Sequence, residues 1–419
     1  MIEIKNKKNC CGCRACVQAC PKRCISFLQD KEGFSYPKVD IKECIDCHLC
    51  EKVCPITSGN VSVEPKKVIG TYNINEDERS HSSSGGMFIL LAKKTIEANG
   101  VVFGAVFDKD WNVKHTYTEN MEGLWPMLQS KYVQSNIGNS YINVRSFLKQ
   151  GRKVLFCGTP CQVLGLKRFL RKDYANLLAV DFLCHGVPSP GVWKKYVERE
   201  LKPLAHRATA GKNTVCHLSI DSVSDLSDIE FRNKSYYGWK KYGFVVRQKS
   251  TSKGDQNTVL LSDNHYKNPY MRGFLSDIFL RPSCYDCKCK NGKSGSDLTL
   301  GDFWCAEQVD KDIDDDKGLS LLLINHPEKV ELNEQSYYQK EFSYEAVKNL
   351  NGGFVEQHPC NHMQRRVFYR LYKSMKMSQS LRYSCLVRKV INAFQKGLKI
   401  VKKNQINIKN GNRYCYDDK

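Results

Sequence analysis

Eight of the 21 cysteines form two runs with the same spacing. The first run is Cys10-x2-Cys13-x2-Cys16-x3-Cys20, the second extends from Cys44 to Cys54, and a proline follows each. Three thiolates on one tight loop can reach three irons of a cubane cluster, while the distant fourth reaches another cluster. The spacing therefore predicts two 4Fe-4S clusters with crossed ligands: Cys10, Cys13, Cys16 and Cys54 for one, and Cys44, Cys47, Cys50 and Cys20 for the other.

Zinc is the alternative metal for clustered cysteines. Zinc sites favour Cys-x2-Cys pairs separated by a long spacer, rather than four cysteines in one run. Iron–sulfur clusters are therefore the preferred interpretation. Cys11 and Cys24 fall outside the repeated register and are expected to be free thiols.

The rest of the sequence indicates the cellular compartment and the number of domains. Residues 1–5 contain no apolar segment typical of a signal peptide, so we expect a cytoplasmic protein with reduced thiols. No apolar run approaches the ~20 residues that span a bilayer. A chain of 419 residues with 41% hydrophobic residues is expected to form two or three domains.

Predicted strands and helices alternate after a small polar linker at 57–60. The predicted strands cover 67–72, 101–107, 154–156, 177–183, 298–301 and 319–325, and the predicted helices cover 84–98, 162–170 and 192–201. Such alternation is typical of a βαβ sheet, whereas 205–270 suggests hairpins and loops. We predict an α+β protein with domains at 1–60 (a ferredoxin-like two-cluster module), 67–345 (an α/β domain) and 346–405 (a helical basic region), and a tail at 406–419.

Several short motifs occur in order within the α/β region. They are His81–Met87 (HSSSGGM), Ser130–Ser135 (SKYVQS), Gly158–Gln162 (GTPCQ), Cys184–Ser189 (CHGVPS) and Asp297–Trp304 (DLTLGDFW). Together with the N-terminal module, these motifs resemble the coenzyme F420 hydrogenase/dehydrogenase beta-subunit family up to about residue 330. The resemblance implies a flavin, usually FAD, beside iron–sulfur clusters.

The resemblance also implies ligands for these cofactors. The flavin contacts are expected at Ser84, Gly85, Gly86, Lys131, Tyr132, Gln134, Ser135, Gly158 and Thr159. Glycines before a predicted helix would let a pyrophosphate approach the helix N-terminus, although Ser at a helix start is commonly an ordinary cap. A third 4Fe-4S cluster is implied at Cys161, Cys184, Cys284 and Cys287.

Alternatives remain open at this stage. Cys161 and Cys184 could be buried apolar residues, as free cysteines often are. Cys157, Cys289 and Cys305 depart from the family pattern, which leaves other ligation schemes open. His185 is a candidate catalytic proton donor, although His in such a position is commonly structural.

The favoured function is a flavin-dependent iron–sulfur oxidoreductase. It would relay electrons between its 4Fe-4S clusters and a flavin that exchanges hydride with a small-molecule two-electron acceptor, either coenzyme F420 or another molecule. Its expected protein partner is a ferredoxin or other redox protein. The alternative is a non-catalytic iron–sulfur carrier subunit of a larger redox complex, and bound flavin would distinguish the two.

The charge is concentrated near the C-terminus. Residues 361–405 contain 12 Lys or Arg and no Asp or Glu, against a net charge of +21 for the chain. An apolar stripe from Val387 to Val401 recurs at helical spacing among these basic residues. The helix could pack on the protein or attach to the inner face of the cytoplasmic membrane. Nucleic-acid binding is not expected, because no DNA-binding motif or stacking platform accompanies the charge.

Overall fold

The computed structural model describes residues 1–57, 59–204, 226–248, 258–354 and 356–388. Most of the predicted basic helix, from residue 389 onward, lies outside these residues, as does the 406–419 tail. Parts of the 205–270 region also lie outside them. Within the described residues, no helix is both long and apolar enough to cross a membrane.

The N-terminal module contains two short helices and one hairpin. Helix α1 (Ala15–Ala19) and helix α2 (Leu49–Lys52) each follow a residue in the left-handed region. Strands β1 (Ile25–Gln29) and β2 (Ser35–Val39) pair antiparallel. The repeated cysteine runs thus fold into two similar loop–helix units, as their shared spacing suggests.

An eight-stranded sheet forms the centre of the α/β region, in the order β13-β3-β12-β11-β7-β6-β4-β5. Its strands are β3 (Lys67–Asn73), β4 (Val101–Phe107), β5 (Val113–Thr118), β6 (Val154–Cys157), β7 (Leu177–Phe182), β11 (Leu298–Asp302), β12 (Ser320–Ile324) and β13 (Tyr337–Glu341). Strands β4, β6, β7 and β11 are parallel neighbours, whereas β3, β5, β12 and β13 pair antiparallel. The predicted βαβ arrangement is therefore confirmed for the parallel half.

Helices cover both faces of this sheet. Along β4, Val101 and Phe103 pack with α6 (Ser140–Lys149) and α7 (Pro160–Leu170), while Val102 and Val106 pack with α4 (Met87–Glu97). This alternation follows from the two-residue period of a strand. The N-terminal module joins the α6/α7 layer, because Ala15 and Val53 belong to the same apolar cluster.

A second sheet has three antiparallel strands. It confirms the hairpins that were predicted within residues 205–270. It consists of β8 (Leu226–Asn233), β9 (Gly243–Gln248) and β10 (Thr258–Asn264), and it packs against α8 (Pro190–Tyr196) and α9 (Pro269–Leu275). The other named helices are α3 (Glu76–Ser80), α5 (Met121–Leu124), α10 (Tyr344–Val347) and α11 (His362–Leu371). Residues 377–388 are also helical.

Candidate iron–sulfur centres and an adjoining anion site

The structure brings together Cys10, Cys13, Cys16 and Cys54, which we call the first set. All four are buried, with exposed fractions of 7 or 8%. Burial, followed by the neighbouring thiols of Cys10 and Cys54, raises the pKa of Cys16. A positively charged metal centre would offset this cost of packing ionisable thiols together.

A buried arginine and a glutamine clamp the loop of the first set. Arg281 donates from Nε to the carbonyl of Cys10 at 2.7 Å and lies 3.5 Å from Cys10 Sγ. Gln134 donates to the carbonyl of Cys11 and accepts from Arg281, both at 2.9 Å. A Cβ at Gly12, whose φ is +75°, would lie 2.7 Å from the Gln134 amide, so this clamp requires glycine.

Cys20, Cys44, Cys47 and Cys50, called the second set, line one cavity at the surface of the N-terminal module. Cys47 is exposed, in contrast to the first set. The backbone N–H of Ile2 points at Cys50 Sγ from 3.3 Å. Cys24 lines the same cavity, with its sulfur 3.4 Å from that of Cys20, so this cysteine is not remote from the second set.

Helix α7 connects the first set to a third group of thiols. Cys161 is the second residue of α7, and Gly165 lies one turn later on the same face. A Cβ at Gly165 would lie 3.1 Å from both Cβ and Sγ of Cys13. The missing side chain therefore lets the helix that carries Cys161 approach the first set closely.

Cys161, Cys184, Cys284 and Cys287 form the third set. Cys161 and Cys184 follow β6 and β7, where the carboxyl ends of parallel strands share one edge. The other two come from a distant loop, and the backbone N–H of Val187 lies 3.5 Å from Cys284 Sγ. Burial is the largest influence on Cys184 and raises its pKa, and Cys284, Cys161 and Cys287 raise it further.

Two additional thiols join this group. The Cys11 thiol neighbours both Cys13, which raises its pKa, and Cys161, which lowers it. The neighbouring thiol of Cys289 is the largest cause that lowers the Cys287 pKa to about 6. The Cys10-Cys11 doublet and the Cys287-x-Cys289 spacing were the available sequence signals, although the expectation of a free thiol at Cys11 gave no indication that it lies beside both sets.

The candidate catalytic residue His185 belongs to a hydrogen-bonded network. Its Nε2 lies 2.7 Å from Asp277 Oδ1, and His358 Nδ1 lies 3.7 Å from Asp277 Oδ2. Lys290 Nζ lies 3.0 Å from His358 Nε2, which therefore accepts and leaves the proton on Nδ1. This protonation pattern favours a network centred on Asp277 over a metal site at the three residues.

The predicted flavin positions divide between two places. Gln134 lies against the loop of the first set. Ser135, Gly158 and Thr159 lie around the start of α7, where Thr159 Oγ1 is 3.2 Å from Cys161 Sγ. Ser84, Gly85, Gly86, Lys131 and Tyr132 lie around the start of α4 and β8. The Ser130–Ser135 motif connects the two places, because Lys131 and Tyr132 come from its first half and Gln134 and Ser135 from its end.

The loop before α4 is held by protein contacts. A Cβ at Gly85 would lie 2.6 Å from the Thr71 carbonyl oxygen, so close strand packing explains this glycine. Gly86, with φ of +85°, is the cap residue of α4. Within the described structure, no side chain caps this helix, which leaves its first-turn N–H groups without the usual partner.

Basic side chains converge on the same loop. Arg232, which is 2% exposed, donates to the Ser83 carbonyl at 3.1 Å, and Lys234 donates to the Ser84 carbonyl at 3.0 Å. Burial, with Arg79 and Arg232, lowers the Lys234 pKa to about 7. Burial likewise lowers the Lys131 pKa to about 7. Two hydrogen bonds of 2.9 and 3.0 Å pair the Arg232 guanidinium with Asp302, whereas in the described residues its buried Nε lacks a hydrogen-bond partner. This Nε and the two lysines fit an anionic group such as a pyrophosphate.

Two family models match the chain. Residues 9–58 match a 4Fe-4S dicluster domain, and residues 151–349 match the C-terminal part of the coenzyme F420 hydrogenase/dehydrogenase beta subunit. An uncharacterized ferredoxin of Methanocaldococcus jannaschii is 32% identical over 65 residues, which is 15% of this chain and 83% of the ferredoxin. A protein from the rpl9–rpl11 intergenic region of Porphyra purpurea is 38% identical over 50 residues, or 12% of this chain and 67% of that protein.

Among solved structures, one similar chain comes from the F420-reducing NiFe hydrogenase complex of Methanosarcina barkeri. It shows a TM-score of 0.43 and 13% identity, and the match covers 78% of this chain and 94% of that one. The family assignment rests on the family models and on the paired cysteine runs. This chain belongs to the coenzyme F420 hydrogenase/dehydrogenase beta-subunit family and carries a 4Fe-4S dicluster domain at its N-terminus.

Proposed function

We propose that this protein is an iron–sulfur flavoprotein oxidoreductase that connects a one-electron protein carrier to a two-electron acceptor. The observation that carries the proposal is the close approach of α7, the helix that bears Cys161, to Cys13 at Gly165. This approach, with Cys11 beside both Cys13 and Cys161, puts the first set next to the third set. Cluster-binding residues from two domains are thereby brought into a single buried series. A module that merely stored a cluster would not need this continuity.

The chain's own groups would hold and tune the clusters. The first, second and third sets would each supply four thiolates, and N–H groups of Ile2, Arg281 and Val187 point at sulfurs of Cys50, Cys10 and Cys284. Hydrogen bonds to cluster sulfurs and burial are the main protein influences on cluster potentials. When bound, the clusters would supply one-electron transfer and a flavin would supply exchange between one-electron and two-electron partners.

The residues around the start of α4 would hold the flavin. Its pyrophosphate would be bound by the first-turn N–H groups, by the Nε of Arg232, which is unpaired among the described residues, and by the positive charge of Lys234. These two side chains are fixed on the Ser83 and Ser84 carbonyls. Tyr132 is held by the Arg232 guanidinium at 3.1 Å. Gln134, Ser135, Gly158 and Thr159 lie beside Cys11 and Cys161 and would shape the side facing the third set.

The second set is the expected contact point for the protein partner. Cys47 is exposed and Ile45 is 59% exposed, whereas the first set is 7 or 8% exposed. A ferredoxin or other single-electron carrier would therefore approach the protein most closely at this surface. The acceptor is proposed as a small molecule, coenzyme F420 or another, that reaches the flavin side of the third set.

Anaerobic reconstitution of the full-length protein with iron, sulfide and either FAD or FMN tests the proposal. We expect about twelve iron atoms per chain, because three 4Fe-4S clusters are proposed, together with bound flavin. The double change Cys284→Ala and Cys287→Ala should remove about four iron atoms and leave the N-terminal clusters unchanged. Cys305→Ala, at an exposed cysteine, is the matched control.

Two results would contradict parts of the proposal. A wild-type protein that holds only about eight iron atoms would return the third set to a structural role. A protein that holds its clusters but retains neither FAD nor FMN would instead favour the iron–sulfur carrier subunit, which has no substrate site of its own.

A further inference from the structure

A buried lysine lies within the third set. Lys290 follows Cys289 directly and is only 2% exposed, which is rare for a lysine. It also lines the same cavity as Cys184. Nothing in the cysteine spacing or in the family match assigns a role to this side chain.

The ammonium of Lys290 is held in a defined position. Its Nζ donates to the His185 carbonyl at 3.0 Å and to His358 Nε2 at 3.0 Å. His185 is the residue after Cys184, and Lys290 itself follows Cys287 and Cys289 on their loop. The cation is therefore anchored between the two chain segments that supply three of the four thiolates of the third set.

The charge of Lys290 reaches those thiolates. Burial raises the pKa of Cys184 and of Cys284, and Lys290 opposes this effect at both residues. At Cys287, the neighbouring thiol of Cys289 is the largest cause of the lowered pKa, and Lys290 lowers it further. Charges interact more strongly away from water, so a cation in this position acts on these three of the four thiolates.

We propose that Lys290 sets the reduction potential of the cluster held by the third set, by holding a buried positive charge beside it. This inference rests on the proposed third cluster. Reduction adds one negative charge to a cluster, so a fixed neighbouring cation stabilises the reduced form more than the oxidised form. Lys290 thus makes the third set easier to reduce than the same thiolates would be without the cation.

The competing role for Lys290 is structural. By joining the His185 carbonyl to His358, Lys290 also ties the loop after β7 to the segment before α11. Loss of that tie would affect folding and cluster assembly, but it would not by itself produce a shift in potential specific to one cluster. The midpoint potential therefore separates the two roles.

The experiment compares Lys290→Met, Lys290→Gln and Lys290→Arg in the full-length, anaerobically reconstituted protein. Redox titration followed by electron paramagnetic resonance gives the potential of each cluster, and the signal lost in the Cys284→Ala, Cys287→Ala variant identifies the third cluster. Lys293→Met is the matched control, because Lys293 lies on the same loop and pairs with Glu356 at 2.6 Å.

We expect Lys290→Met and Lys290→Gln to keep their iron and to shift only the third cluster to a more negative potential. Lys290→Arg should remain close to wild type, and Lys293→Met should show no shift. Full iron content with an unchanged third potential in Lys290→Met would overturn the inference, as would loss of the third cluster from both neutral variants. A wild-type protein without the third signal would contradict the proposed function instead.

Discussion

The second and third sets of cysteines differ in both exposure and origin. The second set combines the two cysteine runs of the N-terminal module, lines a surface cavity and includes the exposed Cys47. The third set combines three separate chain segments, includes the buried Cys184 and is bordered by the buried cation of Lys290. Under the proposed function, the second set would exchange electrons with a partner and the third set would serve chemistry inside the protein.

The first set is the most buried of the three and adjoins both of the others. It belongs to the same module as the second set, yet it is buried against α7 and is clamped by Arg281 from the α/β domain. Under the proposed function, electrons entering at the exposed second set would have a buried route toward the third set. Each prediction below tests one part of this ordering.

The largest expected effect follows from changing the second set. Cys20→Ser removes a ligand that lies in the first cysteine run but belongs to the second set, so it should perturb the electron paramagnetic resonance signal of the second cluster alone. Cys24 lies 3.4 Å from Cys20 and can offer a replacement thiolate. We therefore expect the combined change Cys20→Ser and Cys24→Ser to remove about four iron atoms.

Cys24→Ser alone is the control for that pair and should leave both N-terminal signals intact. A Cys20→Ser protein with a perturbed first cluster would contradict the crossed ligand arrangement. Unchanged spectra in the double variant would contradict the placement of Cys20 in the second set.

The next effect concerns the contact between the module and α7. Gly165→Val places a side chain where even a Cβ would lie 3.1 Å from Cys13, and overpacking of this kind costs about 1–3 kcal/mol. The temperature at which the N-terminal clusters lose their absorbance should fall. Valine has a higher helix propensity than glycine, so helix propensity cannot account for a lower bleaching temperature. A lower temperature would therefore identify the clash with Cys13 as the cause.

Gly352→Ala is the control for this substitution, because nothing lies within 4 Å of a Cβ at Gly352. It should leave the bleaching temperature unchanged. A Gly165→Val protein as stable as wild type would show that the module does not depend on this close approach to α7.

The smallest expected effect is the pH dependence of flavin binding. The Lys234 pKa is lowered to about 7 by burial and by Arg79 and Arg232, and an anionic pyrophosphate would favour the protonated lysine. Affinity for FAD should therefore be highest below about pH 7 and fall above it, by up to about tenfold per pH unit. Fluorescence titration of flavin-free protein between pH 6 and 9 measures this slope.

Lys234→Met should flatten that profile, whereas Lys240→Met, at a lysine that pairs with Asp314 at 2.7 Å, should keep it. A flat wild-type profile would contradict the location of the pyrophosphate beside Lys234. It would leave the cluster assignments unaffected, since the second and third sets lie elsewhere.

The sequence predicted best what depends on nearby residues. Cys10 through Cys54 follow a local spacing rule, and the strand at Val101–Phe107 was predicted with its observed bounds because its apolar residues form one run. The predicted helix at 84–98 begins instead at Met87, because Gly86 adopts a left-handed conformation. The antiparallel strands at the sheet edges depend on long-range pairing, which periodicity does not specify.

Positions that depend on the fold were the ones missed. Arg281 donates to the carbonyl of Cys10, which lies 271 residues earlier in the sequence. Arg232, in the second sheet, donates to the carbonyl of Ser83 in the loop before α4. Neither has a local signal that distinguishes it from a surface arginine. The placement of Gln134 at the flavin, inferred from a motif, stays a prediction, and the contact of its amide with the Cys11 carbonyl was not foreseen.

Magnetic interaction between the reduced clusters tests the central claim most directly, namely that the first and third sets form one buried series through Cys11. In the fully reduced wild-type protein, we predict spin–spin coupling between the first and third clusters in the electron paramagnetic resonance spectrum. The Cys284→Ala, Cys287→Ala protein should lose this coupling and retain the coupling between the two N-terminal clusters. A wild-type protein with all three clusters reduced and no interaction involving the third would contradict the account.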